Sequence, residues 1–117
     1  MNDYYYPPTI NRAVLMVVPR KPFYDWLQSL NSEDSFLIDS VFEHNSYLLE
    51  DTIMANEPKK VLNKHWKWIF ENELFGYFTY EEMWPPKRTW KMFTEWFDLK
   101  FSTIVLDLVE KPLEKEE

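Results

Sequence analysis

The stretch Ala13-Val14-Leu15-Met16-Val17-Val18-Pro19 and its continuation Pro22-Phe23-Tyr24-Asp25-Trp26-Leu27-Gln28-Ser29-Leu30 decide the fold class. The first part is an unbroken apolar run closed by proline, which reads as a strand covered on both faces. The second opens on Pro22 and sets Phe23, Trp26, Leu27 and Leu30 at i, i+3, i+4 and i+7, a single helical stripe. A switch from strand to helix period within a few residues predicts an α+β chain.

Working outward, Leu37, Ile38, Val41 and Phe42 fit one or two helical turns between Asn31 and Asn45, and Ser46 to Ile53 reads as a second strand. Asn56 is placed as a cap and Pro58 in the first turn of one long helix, Pro58 to Phe75. Gly76 is expected to end that helix in the left-handed conformation. Thr79 and Glu82 have capping-box spacing for a short helical turn stopped by Pro85-Pro86. A helix from about Thr89 to Phe97 precedes a last strand, Leu99 to Val109, rich in β-branched and apolar residues. The expected architecture is two-layer α+β, a small mixed sheet covered by three or four helices in the order β-α-(α)-β-α-α-β. A parallel pairing of the first two strands would require a right-handed crossover.

At 117 residues one domain is expected, over 11–109, between an aromatic and proline-rich tail (1–10) and a charged tail (110–117). Tyr4, Tyr5 and Tyr6 either strap onto the body or form an exposed docking peptide. The net charge of −7 argues against nucleic acid as a partner, because such binding depends on Lys and Arg neutralising phosphates. The longest apolar run is too short for a membrane span, the first residues lack the pattern of a signal peptide, and cysteine is absent. A cytoplasmic protein is expected.

The composition also removes most catalytic apparatus. One glycine cannot build a phosphate-cradling loop, and without cysteine there is no thiol nucleophile or zinc knuckle. His44 and His65 are too isolated for a metal pair, and no nucleophile-elbow motif occurs. Asp39 with Glu43, and Glu81 with Glu82, are carboxylate pairs of the kind that arise freely among 20 acids. No cofactor, metal or enzyme activity is expected.

What remains is recognition. On a helical wheel for 58–75, Leu62, Trp66, Ile69 and Phe70 form the core stripe, while Lys60, Lys64, Lys67 and Glu71 face solvent. A second apolar flank, Val61, His65, Trp68 and Phe75, must meet another element, the Tyr tail or another chain. The lysines make a basic stripe that is either a solvated face or a match for an acidic partner. Lys59, Lys60, Glu71 and Glu73 oppose the helix macrodipole, an effect of a few tenths of a kcal/mol each. Glu73 falls within the core stripe, so it either pairs with Arg88, Lys87 or an indole N–H, or serves as a ligand-binding or catalytic carboxyl of raised pKa. Trp84-Pro85-Pro86-Lys87-Arg88-Thr89-Trp90 is stiff, aromatic and basic, suited either to a structural corner or to a recognition loop.

Several strings carry a resemblance: Asn11-Arg12-Ala13, Lys21-Pro22-Phe23 with Trp26-Leu27, and Phe70-Glu71 with Glu73-Leu74 and Gly76-Tyr77. Met83-Trp84-Pro85, Arg88, and Phe93 with Trp96-Phe97 continue it. Over most of 11–108 the chain resembles a group of small bacterial cytosolic proteins to which no activity is attached. The resemblance implies a stand-alone protein and an internal ion pair between Glu73 and Arg88. The expected function is a non-enzymatic interaction module, binding a protein partner or itself as a homodimer. Its surface is expected to include Val61, His65, Trp68 and Phe75, or Trp84, Lys87, Arg88 and Trp90. The alternative is a small-ligand binder with a Trp-lined cleft anchored by Glu73 or Arg88.

Overall fold

A computed structural model describes residues 7–30 and 44–117. The helical turns expected around Leu37 to Phe42, the Asp39–Glu43 pair and the Tyr4–Tyr6 triplet lie outside the described residues. The chain is α+β, as its periodicities predict. Strand β1 (Arg12–Pro19) leads through Arg20 into helix α1 (Lys21–Leu30), and β2 (Asn45–Glu50) precedes α2 (Pro58–Val61) and α3 (Trp66–Phe75). A 3-10 turn (Glu81–Met83), α4 (Trp90–Trp96) and β3 (Phe97–Ser102) follow.

The sheet has the order β2-β1-β3 and both pairings are antiparallel, so the expected mixed sheet is corrected. The apolar run of β1 suggested two covered faces, the mark of parallel strands. In fact Ala13, Leu15 and Val17 are fully buried while Met16, between them, is 37% exposed. An antiparallel sheet tolerates that asymmetry, with one face on the core and one open. Tyr47 and Leu49 of β2 lie opposite Leu15 and Ala13, and Phe101 and Leu99 of β3 opposite Leu15 and Val17, so all share the buried face.

The core is largely aromatic. Phe93 of α4 is fully buried and touches the rings of Trp66, Phe70, Trp90 and Phe97 at centroid distances of 5.5–6.2 Å. Phe23 of α1 packs on Phe97 at 5.1 Å and Tyr77 at 5.3 Å. Helix α4 contacts both α1 and α3. Its start is as the sequence suggests: Thr89 is extended and its hydroxyl accepts from the Met92 amide.

Four local expectations are corrected. The long helix is broken: Leu62 to His65 form turns between α2 and α3, with the amides of Leu62 and Trp66 bonded to the carbonyls of Pro58 and Leu62 respectively. The break falls at Asn63, a weak helix former, amid the like charges of Lys60, Lys64 and Lys67, whose repulsion at helical spacing is destabilising. Glu57, not Asn56, is the N-cap of α2, and it makes no side-chain cap bond. Tyr80 rather than Thr79 precedes the 3-10 turn, again without a side-chain cap. The third strand begins directly at Phe97 and ends at Ser102, after which only Leu106 bridges Thr9.

Gly76 is the clearest correction. Its φ of −60° and ψ of −20° are right-handed. The helix closes instead with a tightened, three-residue bond from the Tyr77 amide and an ordinary four-residue bond from the Phe78 amide, both to the Leu74 carbonyl. A Cβ there would meet only backbone oxygens at 3.6 and 3.8 Å, ordinary contact. Gly76→Ala should therefore stabilise the protein by about 0.4–1 kcal/mol through the unfolded state, measured by urea denaturation; destabilisation would mean the position needs glycine after all.

Candidate functional site

The inward carboxyl of Glu73 is real, with the residue only 5% exposed, but its partners are not those expected. Its Oε2 accepts from Asn45 Nδ2 at 2.7 Å and from the Tyr47 hydroxyl at 2.5 Å. The same hydroxyl accepts from Asn72 Nδ2 at 3.0 Å. Asn45 and Tyr47 stand two apart on one face of β2, and Asn72 and Glu73 are neighbours on α3, so the network fastens the edge strand to the helix. Burial, the largest influence, pushes the Glu73 carboxyl above its ordinary range; the bonds from Tyr47 and Asn45 and the nearby His44 pull it back. The Tyr47 phenol is pushed up chiefly by burial and then by Glu73, which keeps it the proton donor of the pair.

A raised folded-state pKa means that the native protein binds more protons than the unfolded chain between the ordinary value of 4.5 and the folded value. Stability from this group is therefore complete below pH 4.5 and falls as pH rises through the folded value. Since both donors use one oxygen, Glu73→Gln can keep both bonds. The variant should lose this pH slope and gain on wild type as pH rises, seen in urea midpoints taken across the acidic to neutral range. Identical slopes in the two proteins would show that Glu73 titrates normally.

Arg88 does not reach Glu73, and the implied ion pair is corrected. Its Nη2 contacts Glu71 Oε1 at 3.1 Å and lies 3.8 Å from Glu81, its Nη1 donates to the Pro85 carbonyl, and its guanidinium lies 5.5 Å from the Trp84 ring centroid. Trp84 is half-buried and donates Nε1 to the Phe78 carbonyl, while the Met83 carbonyl accepts from Trp26. The segment is thus built as a corner. Trp90 is half-buried between Trp66 and Phe93 and borders a groove of about 540 Å³ with Pro58 and Thr94; Lys87 is exposed.

The second flank of the helix is arranged differently. Val61 is half-buried, His65 is exposed, and Trp68 and Phe75 are 61% and 53% exposed. Trp68 meets the Tyr47 ring edge-on at 6.3 Å, so the Glu73 network positions the ring that supports it. Val61, His65 and Trp68 line one wall of a groove of about 720 Å³, whose other wall is β2 with Tyr47, Leu48 and Leu49. Phe75 stands two turns beyond Trp68 on the same helix side, outside the groove lining. Arg12, Lys60 and Lys64 also line it, against one acid, Glu50. Lys60 lies 3.9 Å from Glu57, and among the described residues neither Arg12 nor Lys64 has a carboxylate partner. A surface of positive sign on an acidic chain results.

Sequence reasoning singled out one wall of this groove and missed the other. Tyr47 is readable only as one position of the expected strand Ser46 to Ile53, Asn45 falls just before it, and nothing local ties them to a carboxyl 26 and 28 residues on. Among the described residues no cluster of three metal-ligating side chains occurs, and no helix is long and apolar enough to cross a membrane. No family model matches the sequence, and neither a curated protein nor a solved structure matches the chain.

Proposed function

We propose that this chain is a non-enzymatic interaction module that docks an extended protein segment in the groove between β2 and the α2–α3 pair. The observation that supports it most is Trp68, a large ring held in place by Tyr47 yet 61% exposed above an apolar and basic groove. Tryptophans of this kind dominate binding energy where they meet a partner. Among the described residues β2 is an edge strand, whose outer backbone is open to an added strand. Glu73 and Arg88 are bonded to internal partners and line neither groove, which weighs against a small-ligand cleft anchored on them.

The test is selection of displayed extended peptides against the whole chain, followed by titration of the winners. Acidic sequences with alternating apolar residues should emerge, and they should lose affinity for Trp68→Ala. Winners indifferent to that substitution would place recognition elsewhere.

A further inference from the structure

After β3 the chain forms an arm whose apolar side chains find no cover among the described residues. The amide of Asp107 donates to the Pro8 carbonyl and that of Ile10 to the Val105 carbonyl, so 105–107 pair with 8–10 beyond the sheet. The register of β1 with β3 pairs Val14 with Ser102, while the bridge pairs Thr9 with Leu106. The lead-in to β1 therefore holds one extra residue, a bulge separating this small ribbon from the sheet. Along the arm Ile104, Leu106 and Leu108 are exposed at 72%, 48% and 75%, whereas Val105 and Asp107 are half-buried. That alternation is the pattern of a strand with its apolar face outward. A two-stranded ribbon of this kind is marginal in water by itself.

We infer that the arm, residues 103–113, seats in the β2–α3 groove of a second copy of this chain, and that two such contacts form a symmetric dimer. The inference rests on the reading of the groove as a docking surface and names its occupant. Three features match. The bonds between 8–10 and 105–107 leave the amide and carbonyl of Leu106 facing away from the ribbon, free to pair with an edge strand, and β2 is such an edge. The exposed Ile104, Leu106 and Leu108 share one face of the arm and offer it to Val61 and Trp68, on the side of β2 that carries Tyr47. Charge is complementary, since the arm carries Asp107 and Glu110 against Lys111 and is followed by the acidic 114–117, and the groove carries Arg12, Lys60 and Lys64 against Glu50. Eleven extended residues reach up to about 36 Å, enough to cross between two bodies of this size. Reciprocal exchange gives an isologous, closed pair.

The test uses the full chain with a photoreactive phenylalanine analogue in place of Leu108, in an equal mixture of isotopically light and heavy protein. Cross-links should join light to heavy chains and fall on residues 45–50 and 60–69. Sedimentation equilibrium should give a dimer that Ile104→Ser, Leu106→Ser and Leu108→Ser together weaken at least tenfold, with the circular dichroism unchanged. Cross-links confined within single chains, or a dimer untouched by the triple substitution, would overturn the inference. A monomeric chain that still binds displayed peptides through Trp68 would overturn it too, and leave the groove reading standing. A dimer that survives Trp68→Ala would overturn the inference as well, while the peptide affinity of that variant decides the groove reading separately.

Discussion

Phe93→Ala should lower stability by about 3–5 kcal/mol, the loss typical of a buried phenylalanine truncated to alanine. Phe93 sits at 0% exposure where α3, α4 and β3 meet, and its ring touches Trp66, Phe70, Trp90 and Phe97. The surrounding rings are rigid and large, so the space left cannot collapse easily, which favours the upper part of that range. Against a total of about 5–15 kcal/mol for a domain, such a loss leaves the protein close to unfolding at moderate temperature. Urea denaturation followed by far-ultraviolet circular dichroism measures it; a loss below about 1 kcal/mol would mean that Phe93 is not a centre of the core.

Trp68→Ala with Phe75→Ala should do the opposite, sparing the fold and removing recognition. Both side chains are more than half exposed, so their removal uncovers little core. The one specific loss is the Trp68–Tyr47 edge contact, worth about 0.5–1.5 kcal/mol. Binding of the selected peptides should weaken by about thirtyfold or more, the effect of removing an interface residue worth at least about 2 kcal/mol. Thermal melting and fluorescence-anisotropy titration together separate the cases. Unfolding of the double variant would make these residues structural, and unchanged affinity would remove them from the docking surface.

The contrast between Phe93 and Trp68 explains what was legible from sequence. Both are aromatic residues on helical stripes, and the wheel separates Leu62, Ile69 and Phe70 from the flank of Trp68 even though the helix breaks at Leu62–His65. The stripe survives the break, for Leu62 remains fully buried along with Ile69 and Phe70. Glu73 was likewise found as an inward carboxyl by its spacing alone.

Its donors were not found, because Asn45 and Tyr47 come from a strand whose approach to α3 is a tertiary fact. The resemblance groups residues along the chain and so implies a Glu73–Arg88 pair, whereas Arg88 reaches Glu71, on a different side of α3. Strand direction was equally invisible, since an apolar run records burial and not polarity of pairing. The groove needs β2 and α2–α3 together, so sequence marks Val61, His65 and Trp68 and the lysines Lys60 and Lys64, while it gives Arg12 and Leu48 no role there. Gly76 was misjudged because a helix-ending glycine usually signals a left-handed residue, and here the backbone never leaves the right-handed region.

The most direct measurement is a map of backbone-amide and indole chemical shifts of the full chain during titration with the tightest displayed peptide. Shifts should cluster on residues 45–50 and 60–75, with the Trp68 indole among the largest. Shifts centred on 84–90, with the groove unmoved, would contradict the placement of the docking surface between β2 and α3.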